Sequence, residues 1–192
     1  VFQDVVISEP LVGAERVFDR VDCTLIVQLD EDNRHMHVTS HITGTAVTGS
    51  PISDLVFALD SGLEIVALAD EKGETLQFSR NRDLLIVQNN TDQNRQSFSV
   101  TIEYQGEVWE WEKIDAPTMR PLMMYVNTGW LSQYVTNRAI WLGSTYAWYP
   151  KLMTNGREHP AYYRLTVFSK NDQLFVSNEG HLTKTKTASG LY

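Results

Sequence analysis

Three histidines in the segment HMHVTSH have the residue type and spacing that come nearest to a metal site. If the segment is a strand, His35, His37 and His41 point to the face opposite Met36 and Val38, because successive side chains alternate. Side chains two positions apart could share a zinc or copper ion, so His35 and His37 are weak candidate ligands. His41 lies about 20 Å from His35 along an extended strand, too far to join it easily. A solvated polar face is the other interpretation.

The chain contains no sequence motif of the common catalytic sites. There is no HExxH, which places two histidine ligands and a glutamate base on one helix, and no GxSxG, GxxxxGK[ST] or GxGxxG. A serine, histidine and aspartate triad has no fixed order along a chain, but nothing here singles out one serine. The sequence therefore predicts no catalytic residue in this chain and no cofactor bound by it.

Five tryptophans could form a binding surface. In EVWEWEK, Trp109 and Trp111 alternate with acidic residues, and such a platform could stack a sugar or hold an amine. The same spacing is typical of a strand end whose rings cover the edge of a core. With Trp130, Trp141 and Trp148, these rings indicate one possible function, a free-standing binding module for a carbohydrate or protein partner.

The segment IWLGSTYAWYP combines large rings with a Gly-Ser-Thr step and ends at Pro150. The residues in it that could contact a substrate are Trp141, Ser144, Tyr146 and Trp148. Its apolar content is also typical of a strand and turn that pack in a core or a domain interface. We predict packing for the rings and keep substrate contact as the second interpretation.

Strand patterns surround these residues. The run DCTLIVQLDEDNRHMHVTSHITGTAV predicts a long β-hairpin, because two alternating segments flank a turn-rich DEDN. The side chains predicted to face its core are Cys23, Leu25, Val27, Leu29, Met36, Val38, Ile42 and Ala46. Further strands are predicted at DLVFALD, LEIVALAD, LQFS, DLLIVQNN, SFSVTIEY, RAIWLG, YYRLTVFSK and DQLFVSN.

The predicted fold is all-β, an antiparallel sheet or β-sandwich that forms a single domain over residues 1–192. Residues 107–137 lack a period of 2 or 3.6 and are predicted to be an irregular, aromatic-rich excursion. The polar tail from Gly180 is expected to contain an edge strand. No helix is predicted.

The composition of the chain argues against some classes of binding partner. The 192 residues carry a net charge of -8 with 16 scattered lysines and arginines, which argues against nucleic acid. No apolar run is long enough to predict a membrane span. Cys23 is the single cysteine, so an internal disulfide is excluded. The sequence begins at Val1, and we expect it to be a piece of a larger protein located in the cytoplasm or at the cell envelope.

The order of these strands resembles the N-terminal β-domain of the aminopeptidase N family of zinc peptidases. The resemblance is carried by LVFALDSGLEIVALADEKGETLQFS, VTIEYQGEVW and YAWYPKLMTNGREHPAYYRLTVFSKNDQLFVSNEG, and more loosely by HITGTAV. It extends over about residues 15 to 182, and the WYP form is similar to a divergent bacterial branch.

The resemblance implies a saddle-shaped, largely antiparallel β-domain that packs on a downstream catalytic domain. In this arrangement the β-domain forms one side of the cleft in which the catalytic domain binds a peptide. That domain would carry the zinc ion and the glutamate base. In the family, a Gln or Glu before an FPC.DEP-like step anchors the amino terminus of the peptide. Here TNRAIWLGSTYAWYPKL has neither, and only Tyr149 and Pro150 match.

Overall fold

The computed structural model of the chain is built from β-strands. Backbone and side chains are described for residues 17–30, 32–33, 35–47, 52, 54–88, 96–107 and 147–168, and the backbone alone for 2–7, 133–135, 140–142 and 181–183. In this part of the chain no helix is long and apolar enough to cross a membrane. The predicted all-β class is confirmed.

The strands of the described residues follow one another along the chain as β1 (Phe2–Ile7), β2 (Phe18–Asp30), β3 (His35–Ala46), β4 (Leu55–Ala58), β5 (Glu64–Asp70), β6 (Phe78–Asn81), β7 (Leu84–Val87), β8 (Ser97–Glu107), β9 (Gln133–Val135), β10 (Ile140–Leu142), β11 (Lys151–Thr154), β12 (Arg157–Glu158), β13 (Ala161–Phe168) and β14 (His181–Thr183).

The larger sheet has seven strands in the order β14-β1-β13-β2-β3-β8-β5. The predicted hairpin is confirmed as β2 and β3, with Cys23 opposite Ile42 and Val27 opposite Val38. All eight side chains predicted to face its core are buried. One pairing differs from the antiparallel prediction, because β13 runs parallel to β2, with Tyr163 beside Cys23.

A five-stranded antiparallel sheet has the order β12-β11-β4-β7-β6, and β9 pairs with β10 in a separate two-stranded sheet. Apolar side chains of the two larger sheets form one buried cluster, which includes Phe57 and Leu85 from the smaller sheet and Val38 and Ile102 from the larger. Burial of this shared apolar surface is what holds the two sheets together.

Gly44 is required where β3 passes beneath an aromatic ring. It lies opposite Phe98 in the β3 and β8 register, and a Cβ atom added to Gly44 would lie 2.6 Å from Phe98 Cζ. Phe98 in turn meets the ring of Phe18 edge-on, with the ring centres 5.3 Å apart. A glycine in a strand interior is therefore explained here by the ring that covers it.

The strand predictions differ from the structure at five places. The prediction at LQFS begins too early, because the Leu76 amide donates to the Leu68 carbonyl and extends the β5 turn instead. Strands β1, β9, β11 and β12 are not among the predictions. Strand β9 falls within the predicted excursion 107–137, most of which lies outside the described residues. The expected edge strand in the tail is confirmed as β14, while the prediction at DQLFVSN lies outside the described residues.

Candidate functional site

The segment considered for substrate contact is only partly described. Trp141 belongs to β10, where its backbone pairs with Tyr134, and Ser144 and Tyr146 lie outside the described residues. Trp148 is 4% exposed and joins the core. Of the five tryptophans considered for a binding surface, Trp148 is the one whose side chain is described, and it faces inward.

Residues 147–150 are anchored between the two larger sheets. The Asp60 amide donates to the Ala147 carbonyl at 2.8 Å, which ties the segment to the turn after β4. The ring of Tyr149 packs edge-on against Trp148 and Tyr163, at centre distances of 4.9 and 5.0 Å. These rings therefore fill the space between the sheets, as expected for packing residues.

The three histidines of β3 lie on the outer, polar face of the seven-stranded sheet. Nε2 of His37 is 2.9 Å from Oε1 of Glu103, and both side chains are about one-third exposed. Nδ1 of His41 lies 3.2 Å from the Thr101 hydroxyl, and His35 is opposite Glu107 in the strand register. Each histidine thus has a polar cross-strand neighbour on β8.

This arrangement offers His37 and Glu103 as two potential ligands, since no group of three His, Cys, Asp or Glu side chains that could hold a metal ion occurs among the described residues. A zinc site in a protein ordinarily uses three or four protein ligands. The described residues of this face are therefore better explained as solvated polar side chains than as metal ligands.

Titration of the chain with Zn²⁺ should show no saturable binding in the micromolar range, because two ligands do not complete a zinc site. The measurement is isothermal calorimetry, with the His35→Gln, His37→Gln double variant as the matched control. We expect the two titrations to superimpose. Stoichiometric binding that the double variant loses would establish the metal site instead.

A half-buried arginine organises the turn that follows β4. Arg80 on β6 donates from its guanidinium to the carbonyls of Leu59, Asp60 and Leu63, with the bond to Leu59 at 3.0 Å. Burial lowers the pKa of Arg80, while the nearby carboxylates of Asp60 and Asp83 act in the opposite direction.

The same two carboxylates hold the amides of this turn. Asp60 accepts from the Gly62 amide at 2.9 Å and Asp83 from the Ser61 amide at 2.8 Å. The charged groups around Arg80 are therefore engaged with backbone in the turn, which indicates a structural role for this cluster. No sequence motif marks Arg80, whose one visible signal is a cation within the four-residue strand β6.

A group of ionisable side chains lies inside the core. Burial raises the pKa values of Cys23, Tyr104, Tyr149 and Tyr163 above their ordinary range, and the members of the group add smaller effects on one another. A high pKa keeps these groups protonated and neutral, so none of them is a ready nucleophile or base. The sequence predicted the core position of Cys23 but not this group.

A cleft of about 200 Å³ opens between the start of β2 and the β4 and β11 strands. Its lining surface is about equally polar and apolar, with Asp54 as the charged member, and consists of Val17, Phe18, Ile52, Asp54, Leu55, Val56, Leu152, Met153, Thr154 and Asn155. Such a lining can take an aliphatic side chain but offers little acid-base chemistry.

Comparison with known proteins identifies a shared fold. No protein-family model and no curated protein matches the chain. Aminopeptidase A of Legionella pneumophila, solved in complex with aspartic acid, has a TM-score of 0.50 and 14% identity, covering 88% of this chain and 17% of that one.

Two further solved structures are similar over about half of the chain. An M1 zinc metallopeptidase of Deinococcus radiodurans has a TM-score of 0.37 and 17% identity over 49% of this chain and 21% of that one. Yeast LTA4 hydrolase has a TM-score of 0.38 and 10% identity over 46% and 14%. This chain therefore spans between 14% and 21% of the length of these proteins. The strand arrangement of this chain is one that also occurs within the Legionella aminopeptidase.

Proposed function

We propose that this chain is the non-catalytic N-terminal β-domain of an aminopeptidase-like zinc peptidase, or of a peptidase-like protein of bacterial type. It packs on a downstream catalytic domain and shapes the cleft in which that domain binds a peptide. The observation that carries the proposal is the fold shared with Legionella pneumophila aminopeptidase A over 88% of this chain but 17% of that one. In this proposal the zinc ion belongs to the catalytic domain.

An apolar surface on the smaller sheet supports a packing role. On the face turned away from the core, Val56 lies between Ile86 and Met153 in the strand register, and Ala58 lies beside Leu84. We call these five residues the outer apolar face. All are partly exposed, and Leu84 is 38% exposed. A sheet face with this composition favours a protein partner over water.

The cleft beside this face extends the same surface, because Val56 and Met153 belong to both. By contrast, the outer face of the seven-stranded sheet carries the ion pair of His37 with Glu103 and the bond of Gln105 to Glu64. The outer apolar face is bordered by the ion pair of Lys151 with Glu158, which lie beside Ala58 and Met153 in the register. Its apolar run from Met153 through Val56 to Ile86 supports the smaller sheet as the side that docks.

Hydrolysis assays test the non-catalytic role. The chain of 192 residues, incubated with aminoacyl amide substrates in the presence and absence of zinc, should show no turnover. Robust hydrolysis that depends on zinc would contradict the proposal. In the full-length protein, hydrolysis of the same substrates by the catalytic domain is the expected positive result.

Substitution of the outer apolar face tests the docking role. In the full-length protein, Val56→Lys with Ile86→Lys should reduce peptidase activity or domain association at least about tenfold, because an unpaired buried lysine costs several kcal/mol. The control is Thr24→Lys with Thr39→Lys on the polar face, which should change neither. Equal activity in both double variants, with unfolding midpoints unchanged, would rule out docking through this face.

A further inference from the structure

The turn between β11 and β12 presents an asparagine followed by a glycine to solvent. Asn155 and Gly156 are both exposed, and their φ values of 51° and 73° are those of a two-residue type I′ turn. The pair Asn-Gly occurs once in the sequence. A Cβ atom added to Gly156 would meet no other described group within 4 Å. The backbone nitrogen of Gly156 is therefore as open to approach as a peptide nitrogen can be, since glycine has no side chain of its own.

The hairpin that carries this turn is short and lies at the end of the five-stranded sheet. Strand β12 pairs with β11 through Thr154 with Arg157 and Met153 with Glu158. The ion pair of Glu158 with Lys151, at 3.1 Å, adds a side-chain contact. An end strand of two residues opens locally at low cost, so the turn can leave its folded conformation while the core stays intact.

The residue after the hairpin is held in place. The His159 amide donates to the Leu152 carbonyl at 2.7 Å. The His159 ring meets that of Phe18 edge-on, with the ring centres 5.6 Å apart, and its Nε2 lies 3.1 Å from the Phe18 carbonyl oxygen. These contacts limit the local opening to residues 153–158.

We propose that Asn155 is a site of spontaneous deamidation, with a rate controlled by local opening of the β11 and β12 hairpin. In the opened turn the Gly156 nitrogen attacks Cγ of Asn155 and forms a new N–C bond. The side-chain amide leaves as ammonia and takes up the Gly156 amide proton. Water then opens the resulting succinimide ring at either of its carbonyls, which yields aspartate or isoaspartate.

The two products have different structural consequences. Aspartate keeps the backbone and adds a negative charge to the cleft that already contains Asp54. Isoaspartate adds a methylene group to the backbone, so a two-residue type I′ turn cannot close again. Without the turn, Glu158 loses its place opposite Met153 and beside Lys151. Because Met153 and Asn155 line the cleft beside the outer apolar face, the reaction changes that surface.

Peptide mapping by mass spectrometry tests the site. During incubation of the folded chain near neutral pH, Asn155 should lose its amide at least about tenfold faster than Asn81, because a glycine nitrogen is the less crowded nucleophile. Asn81 is the internal control, since it is also exposed and lies next to a hairpin turn but is followed by Arg82. Isoaspartate should be among the products. Equal rates at the two asparagines, or an intact Asn155, would overturn the proposal.

The variant Glu158→Gln tests the role of hairpin opening. It removes the ion pair with Lys151 and should raise the deamidation rate about twofold, since a partly exposed pair stabilises the closed hairpin only slightly. The matched control is Glu103→Gln, which removes the ion pair with His37 on the larger sheet and should leave the rate unchanged. An unchanged rate in Glu158→Gln, or an equal increase in both variants, would contradict control by this hairpin.

Discussion

Raising the pH above 10 should unfold the chain over a narrow range. Burial raises the pKa values of Cys23, Tyr104, Tyr149 and Tyr163 above their ordinary values of 9.0 for the thiol and 10.0 for the phenols. Below these ordinary values the folded and the unfolded chain both keep the four protons, and the stabilising effect of the buried neutral groups is complete. As the pH rises further, the unfolded chain releases them first, and stability falls.

The loss should be large because four groups act together. Each contributes about 1.4 kcal/mol per pH unit, so the free energy of unfolding should fall by about 5 kcal/mol per unit once all four titrate in the unfolded chain. A domain of ordinary stability, about 5–15 kcal/mol, would unfold within one to three units. Urea unfolding at a series of pH values measures this slope.

The variant Tyr149→Phe tests the origin of that slope. It removes one of the four protons and should reduce the slope by about a quarter. The control Tyr162→Phe, at a ring that is 51% exposed, should leave the slope unchanged. The alkaline transition should coincide with a cooperative rise in tyrosinate absorbance. Ionisation of the buried phenols in the folded chain, without unfolding, would contradict the expectation.

Replacing Arg80 with methionine should destabilise the chain by about 2–4 kcal/mol, because the carbonyls of Leu59, Asp60 and Leu63 lose their charged donor. Methionine keeps an unbranched apolar stem in place of the aliphatic part of arginine, so lost packing of the stem contributes little. Arg80→Lys should recover part of the loss, since a compact ammonium group cannot match a planar fork that serves three acceptors. Chemical denaturation of the three proteins provides the comparison.

The matched control for Arg80 is Arg82→Met. Arg82 lies two residues further along the chain, on the exposed turn between β6 and β7, and it keeps a positive φ of 53° with either side chain. Its substitution should change stability by less than about 0.5 kcal/mol. If both methionine variants lost the same free energy, the carbonyl cluster would not be the reason.

Strand alternation made much of the larger sheet predictable. In β2 and β3 the apolar residues recur at every second position. Because successive side chains of a strand alternate between its two faces, this spacing places Val27 of β2 and Val38 of β3 on the same side of the sheet. The hairpin of β11 and β12 was missed although its turn has a visible signal. Asn155 and Gly156 have φ values of 51° and 73°, the conformation that Asn-Gly favours in a two-residue turn.

The pairing of β1 and β13 was out of reach of the sequence. Strand β13 contacts β2 in parallel, although more than a hundred residues separate them, and β1 pairs with β13 rather than with its neighbour in the chain. Local patterns report which face of a strand is apolar but not which strand lies beside it. Contacts between distant segments depend on how the whole core closes.

The sequence by itself determined the class of the fold, the inward faces of the central hairpin and the lack of the common catalytic motifs, because these follow from residue type and from a period of two. Tertiary structure alone decided the surroundings of individual side chains. It placed His37 beside Glu103, Arg80 against three carbonyls, and the ring of Tyr149 against those of Trp148 and Tyr163. Such contacts join segments far apart in the chain, and their chemistry depends on burial, which no local pattern measures.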